Sequence, residues 1–368
     1  MHRDSLFGER IVWTGRPALI RSSPLQRSIA VVAFIGSGIT TSFAVVVALT
    51  LHAPFGALLL VAFWCAALGL GILEVPRYFL QKARYVVTDQ HVIAIYGPFR
   101  RSIERRSISF ARIYWDESHP DVGNIELVRA VPTGALRRRL MLRLVGVRAP
   151  ERVWAIVRGA ERVAPRGGAD IPLTQRLDVG ERVIWSAQPR QKLRRFVPTG
   201  QREWGLLALA AFLFLGVTRM TLAALPALGK VHSGGIPFQS PTFVALAFGI
   251  GSTILLLFGI ACFLVYEAVL RAGYLVAHTR YLVTNKRVLI QRRFEELHLD
   301  RAKILDVVEN PKGNGLTDLF LVLDGPRARA VAASGAFGEI ARGHLRPVFE
   351  AVEDAESVSK ILRDAAAA

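Results

Sequence analysis

Cysteine is scarce in this 368-residue chain: there are two, Cys65 and Cys262, both inside apolar runs. Two such residues make no disulfide framework and have no metal-ligand spacing, so the redox compartment is left open. Acidic residues are also few, 29 against 47 basic ones, for a net charge of +18. Lysine is the rare cation, with seven against forty arginines. An arginine excess of this kind often reflects a GC-rich genome, so the total alone names no polyanionic partner.

Catalytic signatures are missing as well. There is no Gly-x-Ser-x-Gly, no Gly-x-Gly-x-x-Gly and no phosphate loop ending in Lys-Ser/Thr. The eight histidines (His2, His52, His91, His119, His232, His278, His298, His344) show no metal-ligand spacing. "PKGNGLTD" (Pro311 to Asp318) lacks the lysine of a phosphate loop and reads as a hairpin turn. Asp116 and Glu117 are strand neighbours that point to opposite faces, which spoils them as a carboxylate pair. The reading is therefore of a non-enzyme without cofactor or metal. Nucleic acid is not expected either, because few aromatics interleave with the arginines.

What the chain has in abundance is apolar length, with 52% hydrophobic residues and a mean hydropathy of +0.34. Ile29 to Leu51 is uncharged over 23 residues, and after His52, Ala53 and Pro54 the run Phe55 to Leu73 adds 19. Thr242 to Tyr266 is uncharged over 25. About 20 apolar residues cross a hydrocarbon core, so these are spans, the first two forming a hairpin. Trp204 to Val217 is shorter, and reaches about Leu225 only if Arg219 snorkels. Arg219 is then an interfacial anchor, the alternative being a pore or gating charge. Glu74 and Glu267 end their spans at equivalent places.

Flanking charge sets an expected orientation. Arg3, Arg10, Arg16, Arg21 and Arg27 precede the first span, Arg77, Lys82 and Arg84 follow the second, and Lys192, Arg194, Arg195 and Arg202 precede the third. The hairpin tips offer only Arg219 and Lys230. The positive-inside rule puts both termini and the long middle in the cytoplasm, as for a multi-pass protein of a bacterial inner membrane. No signal peptide is expected, since about 28 mostly polar residues come before the first span.

The chain also repeats itself. "GERIVWTGRP" (Gly8 to Pro17) returns as "GERVIWSAQP" (Gly180 to Pro189), five of ten positions identical and two more exchanging Ile and Val. "RYVVTDQHVI" (Arg84 to Ile93) returns as "RYLVTNKRVL" (Arg280 to Leu289), and "VRAPERVWAIV" (Val147 to Val157) pairs with "VEDAESVSKIL" (Val352 to Leu362). This is a tandem duplication of about 180 residues. The anchors shared by the copies are Trp13, Pro17, Tyr85 and Thr88 in one, and Trp185, Pro189, Tyr281 and Thr284 in the other.

The division expected is a segment 1–28, a membrane hairpin 29–75, a basic β domain 76–160, a linker with the second phrase 161–203, a hairpin 204–267 and a β domain 268–368. Within the first β domain, strands are read at Tyr85 to Val87, His91 to Tyr96, Arg100 to Glu104 and Ile108 to Tyr114. Ile125 to Ala130 and Arg139 to Val145 form a later hairpin, and a short helix starts at Pro150. About seven strands and one closing helix make a small barrel or sandwich. In the second copy, the Ala- and Gly-rich stretch between Asp324 and Phe349 leaves the last strand undefined. Trp13 and Trp185 are expected against the strands, with Glu9–Arg10 and Glu181–Arg182 at the polar edge.

The Tyr-x-(Val/Leu)-Thr strand, its Gly or basic turn, the leading Gly-Glu-Arg-x-x-Trp-x-x-x-Pro and the ending from Gly123 to Ile156 resemble the bacterial pleckstrin-homology-like (PH-like) domains of membrane proteins. The resemblance covers nearly the whole chain, twice. It implies four transmembrane helices in two hairpins, each followed by a PH-like β-barrel or sandwich with a C-terminal helix. It also implies lipid head-group binding, and is nearly silent on anything else.

Charge location fits such a role. From Pro76 to Ala160 there are 16 basic and 7 acidic residues, whereas from Ala268 onward there are 15 and 13. The first domain gathers Arg100, Arg101, Arg105 and Arg106 on one hairpin and Arg137, Arg138 and Arg139 on another. The candidate partners are anionic membrane lipids or an acidic protein, with generic membrane-proximal charge as the plainer explanation. A division of labour is natural, the basic copy facing lipid and the near-neutral copy facing its twin or a protein. Small residues at i, i+4, such as Ala62 and Ala66 or Ala245 and Gly249, suit hairpin packing or homo-oligomerisation equally. The expected function is a membrane scaffold or sensor, the alternative a small transporter or channel subunit built on the four helices.

Overall fold

The computed structural model describes residues 9–22, 24–46, 48, 55–129, 140–160, 168–189, 201–234, 237, 240–313, 315–323, 330–332 and 348–364. In the first half the elements are β1 (Ile11–Gly15), α1 (Pro24–Val46), α2 (Gly56–Gln81), β2 (Ala83–Thr88), β3 (His91–Tyr96), β4 (Phe99–Glu104), β5 (Phe110–Trp115), β6 (Val122–Arg129), β7 (Leu140–Arg148) and α3 (Pro150–Arg158). The second half gives β8 (Val183–Ala187), α4 (Gln201–Ser233), α5 (Pro241–Val265), α6 (Arg271–Ala277), β9 (Thr279–Thr284), β10 (Arg287–Arg292) and β11 (Glu295–Asp300). It ends with β12 (Ile304–Gly313), β13 (Leu316–Leu323), β14 (Ala330–Ala332), β15 (Phe349–Val352) and α7 (Ala355–Asp364). One strand, two long helices, a run of strands and a closing helix occur in that order twice.

The chain forms two compact bodies. The helical body takes residues 22–78 and 193–273, and the β body takes 1–21, 79–192 and 274–368. Each helix pair is thus an insertion between the first and second strands of a repeat. The segment 1–28, which holds the first copy of the phrase, carries β1, which pairs antiparallel with β2 from Ile11↔Thr88 to Gly15↔Tyr85. β8 does the same with β9.

Among the described residues of the helical body four helices are long and apolar enough to cross a membrane: Gln26–Val45, Gly56–Gln81, Glu203–Lys230 and Leu246–Leu270. The third does not stop at Arg219, because α4 runs unbroken through an exposed Arg219 and through Pro226. Buried positions go to small residues, among them Ala30, Ala62, Ala210 and Ala261, while Phe63, Trp64, Phe212 and Leu255 point outward. Small residues let helix backbones approach and leave large apolar side chains for a hydrocarbon solvent. A Cβ at Gly69 would sit 3.2 Å from the Phe34 ring, and Ser37 Oγ donates to the Ala62 carbonyl at 2.8 Å. α5 continues into α6 through one π turn at Tyr266–Leu270.

The described residues of the β body form three sheets. β1-β2-β3-β4 form one, β7-β6-β5-β11-β10-β9-β8 the second, and β12-β13-β14 with β15 on β13 the third. A small barrel or sandwich was expected in each repeat; one seven-stranded sheet runs through both. β5 meets β11 antiparallel, from Tyr114↔Glu295 to Ala111↔His298, with Trp115 N–H donating to the Phe294 carbonyl at 2.8 Å. An alternating sequence specifies which face is buried, but not which strand lies alongside.

Each repeat keeps its own core. Tyr85, Ile125, Leu127, Leu144, Val153 and Trp154 fill the first, with Trp13 packed against it. Tyr281, Leu319, Leu321, Phe349, Val358 and Leu362 fill the second, with Trp185 against it and Phe110 and Val128 of the first repeat reaching in. Pro150 opens α3 and Gly159, at φ +78°, closes it. A 3-10 turn at Arg105–Ser107 delays β5 to Phe110, two residues later than the alternation suggested. In the second repeat β14 and β15 supply strands where the sequence was indistinct, and most of 324–347 lies outside the described residues. "PKGNGLTD" closes the β12–β13 hairpin, with Pro311 opposite Thr317.

Candidate functional site

The expected basic surface divides sharply. β4 is an outer strand of its sheet, and Phe99, Arg100, Arg101, Ser102, Glu104 and Arg106 along and just after it are exposed, with Ile103 alone turned inward. Phe99 is 64% exposed. Among the described residues Arg100, Arg101 and Arg106 make no ion pair, so their charge faces solvent.

Arg105 does not belong with them, which corrects the sequence reading. Its Nε donates to the Val157 carbonyl at 2.9 Å, its Nη2 to Ile156 at 2.7 Å and its Nη1 to Thr88 at 2.9 Å. The guanidinium ties β2 to the C-terminal end of α3. Burial pushes its pKa down, partly opposed by Asp89. Arg301 repeats the device, donating to the Thr284 and Ile361 carbonyls. Arg137, Arg138 and Arg139 lie outside the described residues.

The repeated phrase has a chemical purpose that its sequence did not reveal. Glu9 and Glu181 were expected at a polar edge, but their side chains are 8% and 0% exposed. Glu9 accepts the Thr88 hydroxyl at 2.5 Å and lies 2.8 Å from His91 Nδ1. Glu181 accepts the Thr284 hydroxyl at 2.6 Å and takes Arg287 Nε at 2.9 Å and Nη2 at 3.0 Å. The carboxylate of the phrase thus joins the threonine of the Tyr-x-Val-Thr strand. The Thr88 hydrogen bond, then His91, holds Glu9 below its ordinary pKa. Burial would raise Glu181, but Arg287 outweighs it and the net shift is down.

The other anchors sit in the same frame. Tyr85 hydroxyl bonds the Val145 backbone through both its N–H (2.9 Å) and its carbonyl (3.0 Å), and Tyr281 hydroxyl accepts from Glu350 N–H at 3.0 Å. Pro17 follows β1 half-buried, ahead of the Ala18 N–H bond to Gly146, and Pro189 is buried after β8. Asp116 and Glu117, expected as strand neighbours, lie just past the end of β5 instead, and their carboxylates still part, toward Arg21 (3.1 Å) and Arg293 (3.3 Å).

Residues of both repeats and of the stretch between them build a buried charge cluster around Arg287 that sequence reasoning missed. Arg176 pairs with Glu296 at 2.5 Å and Glu151 at 3.2 Å, and stacks 5.4 Å from the Trp115 ring. Arg158 joins Asp178 and, at 3.3 Å, Asp300. His298 lies between Glu296 (Nε2, 3.2 Å) and Arg287 (Nδ1, 3.3 Å). A guanidinium can only donate, so Nδ1 accepts, Nε2–H donates to Glu296 and the ring is neutral. Burial, with Arg287 nearby, accordingly lowers the His298 pKa to about 4. Burial raises Glu151 to about 7 despite Arg176, and holds Asp300 above its ordinary value despite Arg158. Glu296 stays low, its burial outweighed by His298 and Arg176.

Each of these carboxylates faces a guanidinium, and the pairs Arg158–Asp300 and Arg176 with Glu151 and Glu296 fasten the two repeats together. Arg176 and Asp178 come from the stretch read as a linker, whose Leu173 is buried on Leu282 and Leu289. No family model, curated protein or solved structure matches the chain. One signal was available in the sequence: the position of Arg100 in β4 is held by Glu296 in β11, an exchange of sign at one repeat position.

Proposed function

We propose that this protein is a non-catalytic scaffold of the bacterial inner membrane. Its helix pairs anchor two PH-like β repeats on the cytoplasmic side, and the first repeat docks on anionic lipid head groups. One observation carries the reading. Of two corresponding strands, β11 is acidic, buried and covered by β5, while β4 is basic, exposed and, among the described residues, outermost in its sheet. An exposed Phe99 beside Arg100, Arg101 and Arg106 offers an aromatic to the interface and cations to its negative potential.

The test uses the full chain in neutral-lipid nanodiscs, co-sedimented with vesicles containing phosphatidylglycerol at low salt. Each basic residue at such a surface is worth about 1 kcal/mol, so R100Q/R101Q/R106Q should lose binding roughly a hundredfold. Added salt should weaken the parent protein toward the variant. Equal binding by both proteins would overturn lipid docking. Saturable ion flux in liposomes would instead favour a pathway through the four helices.

A further inference from the structure

The β body makes one inter-repeat strand pairing and leaves the corresponding pairing unmade. Equivalent residues are 196 apart, as Tyr85 and Tyr281 or Arg105 and Arg301 are. By that offset β12 is the second repeat's β5, and β4 is the first repeat's β11. The pair β5–β11 forms. Among the described residues β4 and β12 do not pair, and each is the outermost strand of its sheet.

Moving the β5–β11 register by the same offset sets Phe99 opposite Asn310, Arg100 opposite Glu309, Arg101 opposite Val308 and Ser102 opposite Val307. This brings the Arg100 cation of β4 against Glu309 of β12, whose present partner is Arg363 at 3.6 Å. Phe99, Arg100, Arg101 and Ser102 are exposed, as are Val308, Glu309 and Asn310. The irregularities of β12 fall at Ile304/Asp306 and Pro311/Gly313, so the part that would pair is regular strand. An edge strand can template a further strand. The β4 edge carries Arg100, Arg101 and Glu104, charges that disfavour any added strand without complementary ones. On β12, Val307 N–H donates to Asp306 at 2.7 Å and its carbonyl accepts from Arg363 at 2.8 Å, so an added strand would exchange these side-chain bonds for backbone ones.

The chain's own β12 starts close by, where Lys303 Nζ donates to the Arg106 carbonyl at 2.9 Å, yet the strands do not pair. A second molecule carries no such tether. We propose that β12 of a second copy of this chain adds to β4, repeating between molecules the contact that β5 and β11 make within one. The contact is head-to-tail, the kind that builds rings or filaments. It goes beyond lipid docking, since the backbone edge of β4 is used as well as its side chains.

Cross-linking in native membranes tests the register. By the alternation that Trp115 N–H sets, Arg112 and Leu297 are a non-hydrogen-bonded pair, and so are their counterparts Val308 and Arg101. Such pairs stand about 4.5 Å apart at Cα, within disulfide reach. With Cys65 and Cys262 changed to Ala, two differently tagged chains are co-expressed, one R101C and the other V308C. Oxidation should give a disulfide-linked heterodimer several-fold more abundant than the shifted pair R101C and N310C. R100E in the first chain should lower the yield, and E309R in the second should restore it. Absence of heterodimer above the shifted pair, or a cross-link forming only when both cysteines share one chain, overturns the proposal. Restoration by E309R would leave vesicle binding of R100E impaired, which separates this contact from lipid docking.

Discussion

The Glu181 carboxylate accepts the Thr284 hydroxyl at 2.6 Å across 103 residues of chain. Between them run α4 and α5, so this bond closes each excursion of the chain through the helical body. Glu9 and Thr88 do the same in the first repeat, across 79 residues. The two closures differ in what else they hold: Glu181 neutralises Arg287, whose side chain is 5% exposed, whereas Glu9 faces His91, whose side chain is 37% exposed.

That difference predicts unequal losses. Glu181→Ala leaves the buried Arg287 guanidinium with only Asp178, at 3.9 Å, as a counter-charge, and should cost about 3 kcal/mol. Glu9→Ala removes hydrogen bonds beside a half-exposed imidazole and should cost about 1–2 kcal/mol. Thermal unfolding of the full chain in detergent should rank them in that order, and equal midpoints would contradict the assignment.

Arg105 and Arg106 are neighbours with opposite fates. Arg105→Ala leaves the Thr88, Ile156 and Val157 carbonyls short of a donor, at about 1–3 kcal/mol. Arg106→Ala should fall within about 0.5 kcal/mol of the parent. Vesicle binding should move the other way, reduced by Arg106→Ala and retained by whatever fraction of Arg105→Ala remains folded.

Gly146 has φ +65°, and a Cβ there would lie 1.9 Å from the Leu19 carbonyl oxygen. Gly146→Ala should therefore cost well over about 1 kcal/mol and loosen residues 18–19 from β7. Gly97 is the control, at φ +58° with no atom within 4 Å of a built Cβ. Its counterpart in the second repeat is Arg293, also at φ +58°, so Gly97→Ala should be mild. Limited proteolysis near residue 19 would report the contrast directly.

Acid should pull the charge cluster in two directions. Glu151 titrates near 7 rather than 4.5, so its contribution is full below about pH 4.5 and lost as pH rises through 7. His298 titrates near 4 rather than 6.5, so its contribution is present above 6.5 and lost as pH falls through 4. Between 4.5 and 6.5 the two slopes oppose. Glu151→Gln removes one of them, and its unfolding midpoint should climb with pH across that window more steeply than the parent's. A profile parallel to the parent's would show that Glu151 does not hold a proton there.

The spans, the duplication and the β-rich character of the repeats were legible, because each is written as a local pattern. Ile29 to Leu51 is apolar whatever surrounds it, and the Tyr-x-Val-Thr phrase alternates on its own. Arg105 was misread because a count of arginines cannot tell a side chain that reaches backbone carbonyls from one that reaches water. Glu9 and Glu181 were misread for a related reason: a carboxylate next to an arginine in sequence looks exposed, yet its partners lie beyond an inserted helix pair. The cluster at Arg176 drew its members from positions 151 to 300, and no spacing rule links them.

By itself the sequence determined that four helices are long and apolar enough to cross a membrane, that the chain is doubled, and that each repeat would alternate its side chains about a core. Hydropathy and periodicity are properties of neighbouring residues, and they decide those matters before any contact forms. Tertiary structure alone decided that β5 and β11 fuse the repeats, that Glu296 is buried where Arg100 is open, and that the twice-written phrase is a strand whose carboxylate fastens to a threonine beyond the inserted helices. Strand partners and ion pairs are chosen by which surfaces meet, and a strand's own alternation does not say which edge will lie against it.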